Sequence, residues 1–144
     1  MIEVLTTFHK VGWEQYGKRM VESFLQHWPS EIKIHLYCEN VSTGITNPQV
    51  VEHDIFKACP QVRNFVTQHN NDHNNGIRNG QRDFKYDAIK FSYKVFAQCH
   101  RIRNSQADTL LFIDADTVTF AAPPIEDIKK LLPDDNFTAY IGRP

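Results

Sequence analysis

No stretch of this sequence approaches the ~20 consecutive apolar residues that a membrane span requires. It also lacks a dominant sign of charge. Sixteen Lys and Arg stand against 17 Asp and Glu, a formal net charge of -1, without the basic stripe that a polyanion-binding surface carries. Nucleic acid is therefore not an expected partner. Cysteine is scarce: Cys38, Cys59 and Cys99 are widely separated, lie in apolar or helical surroundings and show no C-x-x-C spacing. That usage reads as buried or idle thiols in a reducing compartment. The chain enters a strand-like segment at Ile2, without the basic segment and apolar core of a secretory signal. These absences together predict a cytoplasmic protein. At 144 residues it has the length of a single domain, enough to bury about 68 to 70% of the surface its unfolded form exposes.

The apolar pattern divides the chain into alternating strands and helices. Ile2 to Phe8 reads as a strand. Trp13, Tyr16, Met20, Val21, Phe24, Leu25 and Trp28 recur at helical spacing, which predicts a helix from Trp13 to Trp28 that Pro29 ends. Ile32 to Glu39 alternates and reads as a second strand, with Val50 to Asp54 a short third. Pro60 to Gln68 fits a short helix opened by proline. Gln68 to Gln81, with five Asn, two His and two Gly, has no periodicity and reads as a mobile loop. A long helix is predicted from Asp83 to about Arg103. One of its faces carries Tyr86, Ile89, Tyr93, Phe96, Ala97 and His100, and a second apolar stripe of Phe91, Val95 and Ile102 predicts burial on two sides. A strand from Asp108 to Asp116, a short helix from Ile125 to Leu132 and a last strand from Phe137 to Ile141 complete the order. Strands alternating with helices at this spacing argue for an α/β fold, a Rossmann-like and mainly parallel sheet flanked by helices.

The most specific segment is Leu110-Leu111-Phe112-Ile113-Asp114-Ala115-Asp116-Thr117. An Asp-x-Asp pair alone says little, because a chain with ten aspartates contains one by chance about 0.7 times. Its setting says more. A short unbroken apolar run reads as a strand buried on both faces of a parallel sheet, and ligands of such sheets gather outside the carboxyl ends of the strands. Strand alternation would point Asp114 and Asp116 the same way. Two carboxylates held close raise each other's pKa unless a cation sits beside them, and a divalent metal is the simplest such cation. His69 and His73 are four apart, a zinc-ligand spacing on a helix, but they fall in the Asn-rich loop without a third ligand and read as solvated. Tyr86, Tyr93 and the two Trp sit at core spacing.

With that motif, the chain resembles the nucleotide-sugar-binding half of a GT-A type glycosyltransferase, a nucleotide-diphospho-sugar transferase. Val4-Leu5-Thr6-Thr7-Phe8 is similar to the family's first strand, whose end contacts the nucleotide base. Lys90-Phe91-Ser92-Tyr93-Lys94-Val95-Phe96-Ala97 is similar to a helix placed beneath the donor diphosphate, and Thr117-Val118-Thr119-Phe120 continues the acidic motif as the family commonly does. The resemblance implies a nucleoside-diphosphate sugar, above all a UDP-sugar, as donor, with Mn²⁺ or Mg²⁺ as cofactor. It implies that Asp116 ligates the metal and that Asp114 takes a ribose hydroxyl or reaches the metal through water, with Ala115 between them in the same donor site. Hard oxygen ligands suit such cations, and the metal stabilises the charge left on the departing diphosphate. Lys94 and Lys90 would then place ammonium groups near the diphosphate. Thr6, Thr7 and Phe8 would line the base pocket, and Glu39 would accept from ribose or base.

The acceptor is not identified by these motifs. Complete members of the family continue well past the equivalent of Pro144, and their second half supplies the acceptor pocket and any catalytic base. The expectation is therefore a donor-binding half whose transfer activity needs a C-terminal half or a second chain, or else a non-catalytic binding module. The rival reading of Asp114-Ala115-Asp116-Thr117-Val118 is a haloacid-dehalogenase-like phosphatase, in which the first aspartate attacks phosphate. That family carries its motif on the first strand, with a lysine and paired acids far downstream, whereas here Asp134-Asp135 follows too soon.

Overall fold

The computed structural model describes residues 1–73 and 75–131. The predicted strand from Phe137 to Ile141 and the Asp134-Asp135 pair lie outside the described residues. Four strands, β1 (Ile2–His9), β2 (Lys33–Glu39), β3 (Val50–Asp54) and β6 (Thr109–Phe112), form an all-parallel sheet in the order β3-β2-β1-β6. Helices flank it, so the α/β class is as the alternation predicts, and the arrangement is consistent with a Rossmann-like sheet. Between β1 and β2 the chain is helical through α1 (Lys10–Gly12), a π-helical turn (Trp13–Gly17) and α2 (Lys18–His27). After β3 come α3 (Ile55–Ala58) and α4 (Pro60–His69). A small hairpin of β4 (Ile77–Arg78) and β5 (Gln81–Arg82) leads through a 3₁₀ turn at Phe84–Tyr86 to α5 (Ala88–Asn104), and α6 (Ile125–Lys130) follows β6.

Strand alternation sorts the core onto two faces. Ile2, Val4 and Phe8 of β1 join Ile34, Leu36 and Cys38 of β2 against Met20, Val21, Phe24 and Trp28. Val21 and Phe24 are fully buried, and each such side chain contributes about 1.5–3 kcal/mol of transfer free energy. On the opposite face Leu5 and Tyr37 pack with Ile55, Cys59 and Ala97. Next to them, below Tyr37, the same face holds a buried polar layer. Arg101 Nε donates to Glu3 Oε2 at 2.8 Å, Ser105 Oγ donates to the same oxygen at 2.7 Å, and His35 Nδ1 meets His53 Nε2 at 2.9 Å.

Several boundaries differ from the sequence expectation for identifiable reasons. The first helix starts at Lys10, where His9 Nδ1 accepts from the Gly12 amide, and ends at His27. Trp28 is extended (φ -86, ψ 145), as a residue before proline prefers, yet its ring stays buried and stacked on Phe24 at 4.9 Å. The Asn-rich loop contains a hairpin because Asn79 and Gly80 both take positive φ, 51° and 75°, the backbone that tight hairpin turns demand. The long helix starts five residues later than Asp83, which instead accepts from the Lys85 amide and caps the 3₁₀ turn. The second stripe of α5 is not buried: Val95 and Ile102 are 55% and 53% exposed. The strand expected from Asp108 to Asp116 is also shorter, and Thr109–Phe112 are all half-buried, because β6 is at the edge of the described sheet rather than inside it.

Candidate functional site

The chain runs from β1 outward to β3 on one side and then crosses back to place β6 on the other side of β1. The strand order therefore reverses between β1 and β6, the position where open α/β sheets form a ligand crevice at the carboxyl ends of their strands. A cavity of about 150 Å³ lies at this end of the molecule. Thr7, Phe8 and His9 reach it from the end of β1, Tyr37 and Glu39 from β2, and Lys90, Tyr93 and Lys94 from α5, with Ile55 and Tyr16 completing the wall. The lysines and Tyr93 arrive together because positions 90, 93 and 94 share one helix face. The first turn of α5 is held by a reciprocal cap. Asp87 Oδ1 accepts from the Lys90 amide at 2.9 Å and from Asn75 Nδ2 at 3.0 Å, while Asn75 Oδ1 accepts from the Ala88 amide at 2.8 Å.

Tyr16 owes its place to the π turn, a distortion of the helix often found at functional sites. Its ring lies so close over Gly12 that a Cβ there would stand 2.5 Å from the hydroxyl. Burial, together with the negative charge of the neighbouring Glu39, pushes the Tyr93 phenol up to about 12, so its hydroxyl stays protonated at neutral pH. The cavity is thus walled by rings, with an acceptor carboxylate among its lining groups and ammonium groups among the others. A second, more open cavity of about 270 Å³ lies across Tyr93, lined by Asn40, Phe56, Arg63, Val66 and Thr67.

The acidic motif lies just beyond. Asp114 accepts a turn hydrogen bond from the Thr117 amide at 3.0 Å, so Asp114-Ala115-Asp116-Thr117 is a turn and not the end of a strand. Strand alternation accordingly does not set the directions of the two carboxylates. Ala115 is buried in the core on the α2 side and anchors the turn, while Asp114 and Asp116 are exposed. The Lys94 ammonium is hydrogen-bonded to Asp114 Oδ1, and it also stands 5.5 Å from the centre of the Phe112 ring and 5.6 Å from that of Phe91. Lys94 thereby joins the cavity to the acidic turn.

Of the nine residues named from sequence, Thr7, Phe8, Glu39, Lys90 and Lys94 line the cavity. Asp114 connects to it through Lys94. Thr6 does not line it. It is fully buried, with an Oγ1 that has no hydrogen-bond partner among the described residues; it points to the face opposite Thr7 and lies two residues deeper in β1 than Phe8, which reaches the cavity from the strand end. Tyr93, which core spacing had assigned to packing alone, is a wall of both cavities. Its signal was available, one residue before Lys94 and three after Lys90. Tyr16 carried no such signal, since a π turn breaks the 3.6 period. His69 and His73 are exposed, and His69 packs its ring on Phe65 at 4.5 Å.

Among the described residues, no three His, Cys, Asp or Glu side chains group to hold a metal, and no helix is long and apolar enough to cross a membrane. The chain matches no protein-family model, no characterised protein and no solved structure.

Proposed function

We propose that this chain is a GT-A-type donor-binding domain that holds a nucleoside-diphosphate sugar, a UDP-sugar foremost, with Mn²⁺ or Mg²⁺, and that serves glycosyl transfer. The observation that carries the reading is the convergence of Glu39, Lys90 and Lys94 on one ring-walled cavity at the carboxyl ends of β1 and β2, with the Asp114 turn after β6 tied to it by Lys94. A nucleotide fits this distribution. Its base and ribose offer N–H and O–H donors to Glu39 and a flat face to the rings, and its diphosphate needs the cations. At about 150 Å³ the cavity is below the ~300–1,000 Å³ of a site for a whole drug-sized ligand, and it suits the nucleoside end alone, with the phosphates at the mouth.

The acidic turn fits a hard divalent cation of the kind that keeps several waters and takes one or two carboxylates plus phosphate oxygens. Asp116, with Asp114, would hold it, and the ion would stabilise the charge of a departing diphosphate. The phosphatase reading gains no support from the topology, since the Asp-x-Asp follows β6 rather than β1. A binding module without transfer activity shares every feature of the donor site and differs only in showing no sugar release with any acceptor. Calorimetry tests the shared claim. Asp116→Ala is expected to abolish the Mn²⁺-dependent part of uridine-diphosphate binding, and an affinity equal to wild type would refute the assignment.

A further inference from the structure

The described ion pairs include one that joins the cavity wall to the acidic turn, and it is made by a lysine already lining the cavity. Lys94 is on the second turn of α5 and Asp114 on the turn after β6, so their bond fastens the helical wall of the cavity to the acidic turn. The ammonium is partly sheltered, with a side chain 32% exposed against 55% for Asp114, and both the Phe91 and Phe112 rings lie within cation–π reach of it. Lys90, one turn earlier on the same face, is placed differently, with its ammonium 5.0 Å over the Phe84 ring. Only Lys94 of the two cavity lysines is therefore placed where a metal bound by Asp114 would have to be.

We propose that Lys94 is the resident counter-cation of Asp114, that a divalent ion entering the acidic turn displaces it, and that the freed ammonium swings to the diphosphate. This rests on the reading of the site as a metal–diphosphate site and concerns its regulation. Two cations cannot both occupy Asp114 without repulsion, so metal alone must compete with Lys94. When a diphosphate is present the displaced ammonium gains a new anionic partner, and the cost of breaking the pair is recovered. Metal and diphosphate thus bind with positive coupling, and by linkage each raises the affinity of the other by the same factor. The pair is partly exposed, which bounds the effect at a few-fold.

Calorimetric titration of Mn²⁺ without nucleotide, on the intact chain, tests the displacement. Lys94→Met is expected to bind Mn²⁺ about threefold tighter than wild type and to lose most of the enhancement that uridine diphosphate gives. Lys90→Met removes the same charge one helical turn away and is expected to change Mn²⁺ affinity less. A second readout follows the group itself: the NMR resonance of the Lys94 ammonium is expected to move on addition of Mg²⁺ while that of Lys90 stays. Equal Mn²⁺ affinities in wild type and Lys94→Met, or equal gains in both lysine variants, overturn the displacement and leave the donor-site reading standing. A wild-type chain that binds neither Mn²⁺ nor uridine diphosphate overturns both.

Discussion

Arg101 and Glu3 are each only 11% exposed at the side chain and form the most buried Lys or Arg ion pair among the described residues. Burial alone would push the Glu3 carboxyl up. The Ser105 hydroxyl, His35 and the Arg101 guanidinium outweigh burial and hold it below its usual range. Arg101→Met keeps most of the packing but strands the carboxylate, and loss of one partner of a buried pair costs about 3–5 kcal/mol. Urea unfolding should show a loss of that size, and a loss below about 1 kcal/mol, that of a surface pair, would contradict the arrangement. Legibility at this scale was uneven. Glu39 could be found from sequence because it ends a predicted strand, and Lys94 because its helix resembles the one that the family places beneath the donor diphosphate. Glu3 could not, because its partners come from residues 101 and 105 and a charged residue in an apolar strand has no local signature for burial. Thr6 and Thr7 are neighbours of one type, and only the facing of β1 separates the buried one from the cavity one.

Among the elements, α5 carries the cavity cations, and its start is defined by Asp87 and Asn75 rather than by its apolar period. Asp87→Ala removes acceptors for the Lys90 amide and for Asn75, and the loss of an N-cap costs about 0.5–2 kcal/mol. Hydrogen exchange is expected to quicken at the Lys90 amide while the helix beyond Ala97 keeps its protection. Uniform quickening along α5 would show that the cap does not act locally. The Lys90 amide also holds the Asp87 carboxyl below its ordinary value, as a cap that accepts from the helix end must. The expected start at Asp83 gives way to Asp87, which Asn75, twelve residues away, holds in place by a hydrogen bond. The apolar runs gave strand existence well, as β3 from Val50 to Asp54 shows. They could not tell a central strand from one at the edge of the described sheet, as β6 is, and so β6 is more exposed and shorter than its Leu-Leu-Phe-Ile composition suggests.

Over the whole molecule, the histidines of the polar layer make stability depend on pH. Burial first, and then the positive charge of Arg101, lower the His35 pKa to about 4. Burial also lowers His53 and His100, each helped by neighbouring charge. An unfolded chain takes up these protons near pH 6.5, whereas the folded one resists them until lower pH. Between those values the unfolded state binds more protons, so stability falls as pH falls. Glu3, with its pKa lowered, loses its contribution only as pH drops further, through its folded value. The urea midpoint should therefore decline steadily from pH 7 to pH 5, and a flat profile would contradict the buried layer. The α/β class was legible from the alternation of periods, but the strand order was not, since it depends on which non-neighbouring strands meet.

That order has a kinetic consequence. Ile2 pairs with Thr109 and Leu5 with Phe112, so β1 meets β6 only after most of the intervening chain has been drawn into a closed loop. Such closure costs entropy before any contact repays it, and sheets built from non-local pairs fold slowly compared with helical bundles. The α2 and β2 side of the sheet can form from the first forty or so residues, while the acidic turn must wait for β6 to dock beside β1. Donor binding should thus be the last property to return on refolding, and any slowing of β6 docking should delay it without delaying the helical signal.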